Sequence, residues 1–234
     1  MDLNRYVLVH GARQTRGVLE RWNGNPWPVL RSWTAGALAV AAALLGAVWL
    51  IASVATPDTT PVAIPGITDA PSAGNVLQIL FRNSLVLALH AFACVAGFIA
   101  GSSLPLSAEQ RTGLSRRIHE KARPVAIAWV IAVTCFSLGT QAYALGSSGA
   151  TLGYQLHISS GLLVLTALPH AVPELTALFL PLAAWTIASR RGEWGDLLAA
   201  TVATVAIAVP ILVCSALWET YVWPHLLQAA SPLA

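Results

Sequence analysis

Long apolar stretches separated by short polar segments form the main pattern of this chain. Residues 33–54 contain no charged side chain, and at ~1.5 Å per helical residue such a stretch crosses a hydrocarbon core ~30 Å thick. Further apolar stretches with few charges cover residues 76–100, 124–145 and 197–219. The pattern predicts an all-α protein, a polytopic transmembrane helical bundle of five to six spans.

The central apolar stretch, residues 154–189, carries a polar interruption. Pro169 and Pro173 stand on either side of His170. Proline lacks a backbone N–H and clashes with the preceding helical turn, so the two prolines predict a broken helix. Broken backbone at membrane depth is tolerated where protein or a water-filled cavity satisfies the freed polar groups. We therefore expect a proline-broken or re-entrant segment around residues 157–174 that lines a cavity.

Two topologies fit this central stretch. In the favoured one, a short re-entrant helix over 157–168 precedes one full span over 173–189, and in the other two ordinary spans cross the membrane. Arg190 and Arg191 are the only Lys or Arg residues in the C-terminal third, and placing them in the cytoplasm requires an odd number of crossings. Acidic residues close by weaken this argument from the positive charges, so the sequence is compatible with either one or two crossings by residues 154–189.

Basic residues elsewhere predict the orientation of the chain. Residues 1–32 contain five arginines and residues 102–123 contain five Arg or Lys, whereas the Pro- and Gly-rich segment 56–74 contains none. The positive-inside rule then places the N-terminus in the cytoplasm. Because residues 1–32 hold no apolar core of a signal peptide, the first span is expected to direct insertion. We divide the chain into a basic cytoplasmic segment 1–32, one transmembrane domain 33–228 and a tail 229–234.

Composition agrees with a membrane protein and excludes other classes. Hydrophobic residues make up 56% of the chain and charged residues 10%, which is typical of polytopic membrane proteins. The net charge of +3 comes from basic residues in loops between spans, so we do not expect a nucleic-acid partner. Cys94, Cys135 and Cys214 lie inside apolar stretches without CxxC spacing, and we interpret them as small packing residues.

Polar side chains inside the apolar stretches are the candidate functional residues. A charged group at a helix centre in the bilayer costs on the order of 3 kcal/mol, so such residues are functional candidates. His170 and Glu174 are four residues apart and share a face if the backbone stays near helical, with side chains about 6 Å apart. Counted at ~1.5 Å per residue from the cytoplasmic ends of their spans, Asn83, Glu174 and Glu219 all fall in the outer part of the membrane. We therefore predict that they converge.

This convergent set suits a metal ion or a catalytic base. One His and two carboxylates, from His170, Glu174 and Glu219, form a ligand set that zinc accepts with an open position for water. Asn83 could donate a hydrogen bond to a developing oxyanion. The structural alternative is a His–carboxylate hydrogen-bond cluster that only ties helices together. Of the neighbouring polar residues, we expect Arg82 to extend to outer head groups and His90 to be a core histidine.

Three segments that contain these residues resemble the stage II sporulation protein M family of bacterial membrane proteins. The resemblance covers roughly residues 33–228, and its most specific part is Pro-His-x-x-x-Glu-Leu at 169–175. The family usually has Gly where this chain has Ala171, and a leucine-like residue at Pro173. The resemblance implies a polytopic protein of the bacterial plasma membrane, with the namesake similar to a scaffold for cell-wall-remodelling enzymes. The matching segments are Phe81-Arg82-Asn83-Ser84-Leu85 with Phe92, Gly97 and Gly101, then Pro169-His170-Ala171-Val172-Pro173-Glu174-Leu175-Thr176-Ala177, then Trp218-Glu219-Thr220-Tyr221-Val222 with Pro224.

The function predicted from the residues is a metal-dependent membrane hydrolase of an intramembrane-peptidase type. Its partners would be the lipid bilayer and a membrane-presented peptide substrate or other membrane proteins. The rival interpretation is a non-catalytic scaffold for cell-envelope or export partners. A transporter or channel comes third, because such proteins are expected to show internal repeats and none is evident here.

Overall fold

The computed structural model describes residues 3–61, 63–103 and 113–232. Within these ranges the secondary structure is helical apart from connecting loops and one isolated bridge between Pro65 and Asp69. A five-residue π-helix, Ile99–Ser103, extends α3, and a single 3₁₀ turn, Trp194–Asp196, precedes α6. The α-helices are α1 Leu3–Gly24, α2 Trp27–Val54, α3 Ala73–Phe98, α4 Gly113–Gln155, α5 Ser160–Arg191, α6 Leu197–Tyr221 and α7 Trp223–Ala230.

Five helical segments of the described chain are long and apolar enough to cross a membrane. This finding confirms the prediction of an all-α polytopic bundle, with five candidate spans where five to six were predicted. The first span begins at Trp27, six residues before the predicted start. The preceding basic residues belong mostly to the separate helix α1. The five segments are Trp27–Val54, Ala73–Gly101, Ile127–Gln155, Ser160–Arg191 and Trp194–Tyr221.

The predicted helix break around residues 157–174 is wrong. Helix α5 continues without interruption from Ser160 to Arg191 and includes Pro169 and Pro173. A proline in a membrane helix is tolerated because neighbouring groups and small backbone adjustments satisfy the one carbonyl that loses its N–H partner. There is no re-entrant helix over 157–168. The 32 residues of α5 make a single candidate span, which agrees with an odd number of crossings in this stretch.

Helix α4 extends well beyond the apolar stretch 124–145. Helix α4 continues to Gln155, and the connection to α5 lies at residues 156–159. Two glycines in this extension, Gly146 and Gly149, are packing residues. A side chain at Gly146 would collide with the side chain of Ile51, and one at Gly149 would touch Ala52. Glycine here allows α2 and α4 to approach closely, as small residues do in membrane helix pairs.

The described residues divide into two compact units, each with its own packing. The first unit comprises the described parts of Met1–Ala37, Leu87–Cys135 and Phe179–Ile207. In it, Gly97 lies against Trp185 and Leu197, and Gly101 lies against the ring of Trp194. His90 is fully buried with its ring edge-on to Phe179 at 5.3 Å between centroids, in agreement with the interpretation as a core histidine.

The second unit comprises the described parts of Leu38–Val86, Phe136–Leu178 and Ala208–Ala234. A buried cluster closes one end of it, formed by Ile64, Leu156, Ile158, Leu163 and Leu227. Polar contacts tie the connecting segments to this cluster. The Ser231 hydroxyl donates to the Leu156 carbonyl at 2.7 Å, and the Gln228 amide donates to the Gly66 carbonyl at 3.3 Å. The loop between α2 and α3 is thereby held against α7.

Candidate functional site

The four predicted site residues all belong to the second unit, on three helices. Asn83 lies on α3, His170 and Glu174 lie on α5, and Glu219 lies near the end of α6. The Asn83 side chain donates a hydrogen bond from Nδ2 to Oε1 of Glu174 at 2.9 Å. These two residues are 91 positions apart in the chain, so the bond joins α3 to α5. The predicted convergence of these two residues is therefore present in the fold.

Glu219 is the second carboxylate of the site. Glu174 lies near enough to act on it as a like charge, and Arg82 acts on it as an opposite charge. Glu219 is thus the residue on which the charges of Glu174 and Arg82 both act, within one unit. We define the polar cluster as Asn83, Glu174, Glu219 and Arg82. It places two carboxylates, a guanidinium and an amide from α3, α5 and α6 in one region.

His170 lies beside this cluster with different neighbours. Its side chain is 6% exposed, and its ring packs at 5.2 Å between centroids against the ring of Trp223. Trp223 is held in turn, because its Nε1 donates to the hydroxyl of Thr166 at 3.2 Å. Since α5 is continuous, His170 and Glu174 do share a helical face as residues i and i+4.

Two atoms of the site retain hydrogen-bonding capacity. Among the described residues, Oε2 of Glu174 and Nδ1 of His170 are buried without a hydrogen-bond partner. A buried polar atom that lacks a partner costs about 1–3 kcal/mol, so it calls for an explanation such as a bound water or ligand. Oε1 of the same Glu174 carboxylate is occupied by Asn83. One oxygen is thus fixed and the other is available.

A small groove leads to His170 between α5 and α6. Its volume is about 300 Å³, and three prolines line it together with His170, namely Pro169, Pro173 and Pro210. The prolines that predicted a broken helix therefore contribute to the wall of a groove. The remaining lining residues are Ile211, Cys214, Ser215 and Trp218.

The predicted zinc ligands do not form a complete set in the described structure. Within the described residues, no group of three or more His, Cys, Asp or Glu side chains is placed to hold a metal ion. His170 packs against Trp223, whereas Glu174 bonds to Asn83. The donor set therefore does not fit a three-ligand zinc site as it stands, and the metal role of His170, Glu174 and Glu219 stays a prediction.

Sequence reasoning missed or misjudged some of the neighbours. Arg82 was expected to extend to outer head groups, and its side chain is exposed, but the sequence did not indicate that its charge acts on Glu219. Nothing in the sequence pattern indicated the tilted contact between the rings of Trp223 and His170. Asn83 was expected to face an oxyanion, but its amide is bonded to Glu174. A positive charge next to Asn83 within an apolar stretch was the available signal for Arg82.

The fold and this cluster define a class, the multi-pass α-helical membrane protein with a polar site inside its helices. Comparison with known proteins finds no matching family model, no matching curated protein and no matching solved structure.

Proposed function

We propose that the protein is an intramembrane hydrolase in which Glu174 activates a water molecule. One observation carries this proposal. The Glu174 carboxylate is held at Oε1 by Asn83, while Oε2 is buried without a partner among the described residues. A general base needs an oriented oxygen within hydrogen-bond reach of the proton that it removes. A carboxylate with one anchored oxygen and one free oxygen meets this requirement.

The reaction is the hydrolysis of a peptide or other acyl bond. Oε2 of Glu174 accepts a proton from water, and the water oxygen forms a bond to the carbonyl carbon. The carbonyl π electrons move to the oxygen and give an oxyanion. Collapse of this intermediate breaks the bond to the leaving group, which receives the proton from Glu174. In this scheme Asn83 is a positioning residue, since it fixes the carboxylate.

Arg82 and His170 have supporting roles in this scheme. A positive charge next to a developing oxyanion stabilises it, and Arg82, whose charge also acts on Glu219, supplies that charge. His170 lies in the groove between α5 and α6. There its unpartnered Nδ1 offers a hydrogen bond to the incoming acyl substrate or to the leaving group.

A divalent metal, with zinc as the predicted ion, is the alternative means of activating the water. It would require His170, Glu174 and Glu219 to approach a common point. Zinc lowers the pKa of bound water and polarises a carbonyl. We also propose that the chain is related to the stage II sporulation protein M family. Its location in this proposal is the bacterial plasma membrane, with the N-terminus in the cytoplasm. The basic segments and the segments around Asn83, His170 and Glu219 support them.

The test compares wild-type protein with Glu174→Gln. Gln keeps the volume and an oxygen that accepts the Asn83 hydrogen bond, but it cannot act as a base. Membranes from cells of the source organism lacking the gene are incubated with each purified protein in heavy-oxygen water. We expect the wild type to produce carboxyl termini or free acids that carry the label. Glu174→Gln should produce none, with an unchanged melting temperature. Ser84→Ala, which removes a hydroxyl bonded only to the Leu80 carbonyl, is the matched control.

A membrane scaffold is the second candidate function. The same hydrogen bond between Asn83 and Glu174 favours it, because such a bond also ties α3 to α5 without any chemistry. The heavy-oxygen experiment separates the two. If no labelled product depends on the wild-type protein, the hydrolase is rejected and the scaffold remains. In that case full cellular function of Glu174→Gln is expected.

A further inference from the structure

The first unit contains an open groove that is unrelated to the polar cluster. Its volume is about 1050 Å³, and its walls come from α1, the start of α2 and the first half of α6. From α1 it receives Thr15, Leu19 and Trp22, which lie on one helical face because they are spaced by four and three residues. Helix α1 also contributes the polar side chains of Arg16, Glu20 and Asn23, and α6 contributes Thr201, whereas the other lining side chains from Pro26 onward are apolar.

The length of the groove matches one leaflet of a bilayer. Along α6 it extends from Leu198 to Ile207, which is about 14 Å at 1.5 Å per residue. Half of a ~30 Å hydrocarbon core is about 15 Å. Because α2 and α6 are candidate membrane spans that both begin at this end, the groove follows the spans inward from the membrane boundary. An acyl chain is the ligand that has this length and polarity.

Aromatic residues mark the same end as the level of the lipid head groups. Trp22 and Trp33 both line the groove and contact each other edge-on at 5.1 Å between centroids. Trp27 opens the first span and is 68% exposed. Tryptophan is enriched at the boundary between membrane and water. A polar helix such as α1 lying beside it is typical of an interfacial element.

A small polar cavity adjoins the groove. It has a volume of about 200 Å³ and shares Trp22, Val29 and Trp33 with the groove as common walls. Its charged lining consists of Arg21, Arg191, Glu193 and Asp196. Nη2 of Arg21 donates to both carboxylate oxygens of Asp196, at 3.4 and 3.5 Å, and Arg191 approaches Glu193 to 4.0 Å. A guanidinium carries five N–H donors, so both arginines keep donors for another anion.

We propose that the groove and the polar cavity together bind one phospholipid whose head group carries a phosphate and a primary ammonium. The acyl chain lies in the groove, and the phosphate lies between Arg21 and Arg191. The ammonium donates hydrogen bonds to Glu193 and Asp196. Charge complementarity selects this lipid. The cavity presents two positive and two negative side chains, and a zwitterionic head group offers one charge of each sign to them. This lipid site does not depend on the proposed hydrolase.

The test is native mass spectrometry of the full chain released from nanodiscs. The nanodiscs contain equal parts of phosphatidylethanolamine, phosphatidylcholine and phosphatidylglycerol. We expect one retained phosphatidylethanolamine, favoured about tenfold over the other two, the effect of one charge-assisted hydrogen-bonded contact. The choline head group carries no N–H donor, and the glycerol head group carries no ammonium. Equal retention of the three lipids would overturn the proposal, and so would a preference for the anionic one.

Two variants test the groove and the polar cavity separately. Ala206 is exposed and lines the groove, so Ala206→Phe fills the groove and should abolish retention of any lipid. Val209→Phe is the control, because Val209 is exposed and lies outside the groove lining. The double variant Glu193→Gln/Asp196→Asn should remove the preference among head groups, because these carboxylates bind the ammonium that distinguishes phosphatidylethanolamine. Asp69→Asn, at an exposed position outside both linings, should preserve the preference. Retention by Ala206→Phe equal to that of the wild type also rejects the site.

Discussion

Asn83 and Glu174 form a hydrogen bond of 2.9 Å between helices α3 and α5, across 91 positions of sequence. A carboxylate inside an apolar bundle is costly unless a donor compensates it. The amide of Asn83 is such a donor, and it has no charge of its own to bury. The bond therefore orients the carboxylate and joins two helices at the same time, so the predictions must separate the chemical role from the structural one.

The first prediction concerns the energy of this bond. Asn83→Ala and Glu174→Ala should each lower the free energy of unfolding, and the double variant should be little worse than either single one. We expect a coupling energy of about 1–3 kcal/mol from a double-mutant cycle in detergent. The Ser84→Ala and Glu174→Ala pair should be additive. Additive losses for Asn83 and Glu174 would mean that the bond does not form.

The second prediction concerns close packing in the first unit. A Cβ at Gly97 would lie 2.7–2.9 Å from atoms of Trp185 and Leu197, so Gly97→Ala forces these side chains to move. We expect a loss of about 1–3 kcal/mol, which is typical of overpacking. Gly139→Ala is the control, because nothing lies within 4 Å of a Cβ at that position. It should be neutral or slightly stabilising in a thermal melt, and equal melting temperatures for the two variants would contradict the packing.

The third prediction concerns orientation, in a background without the native cysteines. Thr60→Cys, in the loop between α2 and α3, should react with a membrane-impermeant maleimide in intact cells. Arg190→Cys, at the exposed end of α5, should react only after the membrane is opened. Labelling of Arg190→Cys from outside would contradict the predicted orientation. The basic segments would then lie outside the cell, and the lipid groove would open in the outer leaflet.

The fourth prediction concerns metal. Because the described residues do not gather three ligands, protein purified without chelator should contain far less than one zinc per chain. Incubation with EDTA should leave the heavy-oxygen incorporation unchanged. One zinc per chain, lost in both His170→Ala and Glu219→Gln, would show that the predicted metal site exists, and loss of heavy-oxygen incorporation in EDTA would show that the metal activates the water.

The site was predictable only in part from the sequence. Asn83, Glu174 and Glu219 could be selected because each is a polar residue within an apolar stretch at a similar computed depth. Depth along a helix follows from residue number alone, since the rise per residue is constant. Rotation about the helix axis also matters, and it depends on the neighbouring helices. The sequence could not show that Asn83 faces Glu174 or that His170 faces Trp223.

The apolar stretches alone determined the class of protein and limited the number of spans to five or six, because each span must satisfy its own backbone within lipid. The tertiary structure decided what local signals could not. Pro169 and Pro173 predicted a break, and the apolar stretch 124–145 ended before Gly146, yet all three residues lie inside continuous helices. The physical reason is that proline and glycine disfavour a helix only locally, and tertiary packing can compensate this cost of a few kcal/mol. Packing between helices decides whether a glycine ends a helix or lets two helices touch.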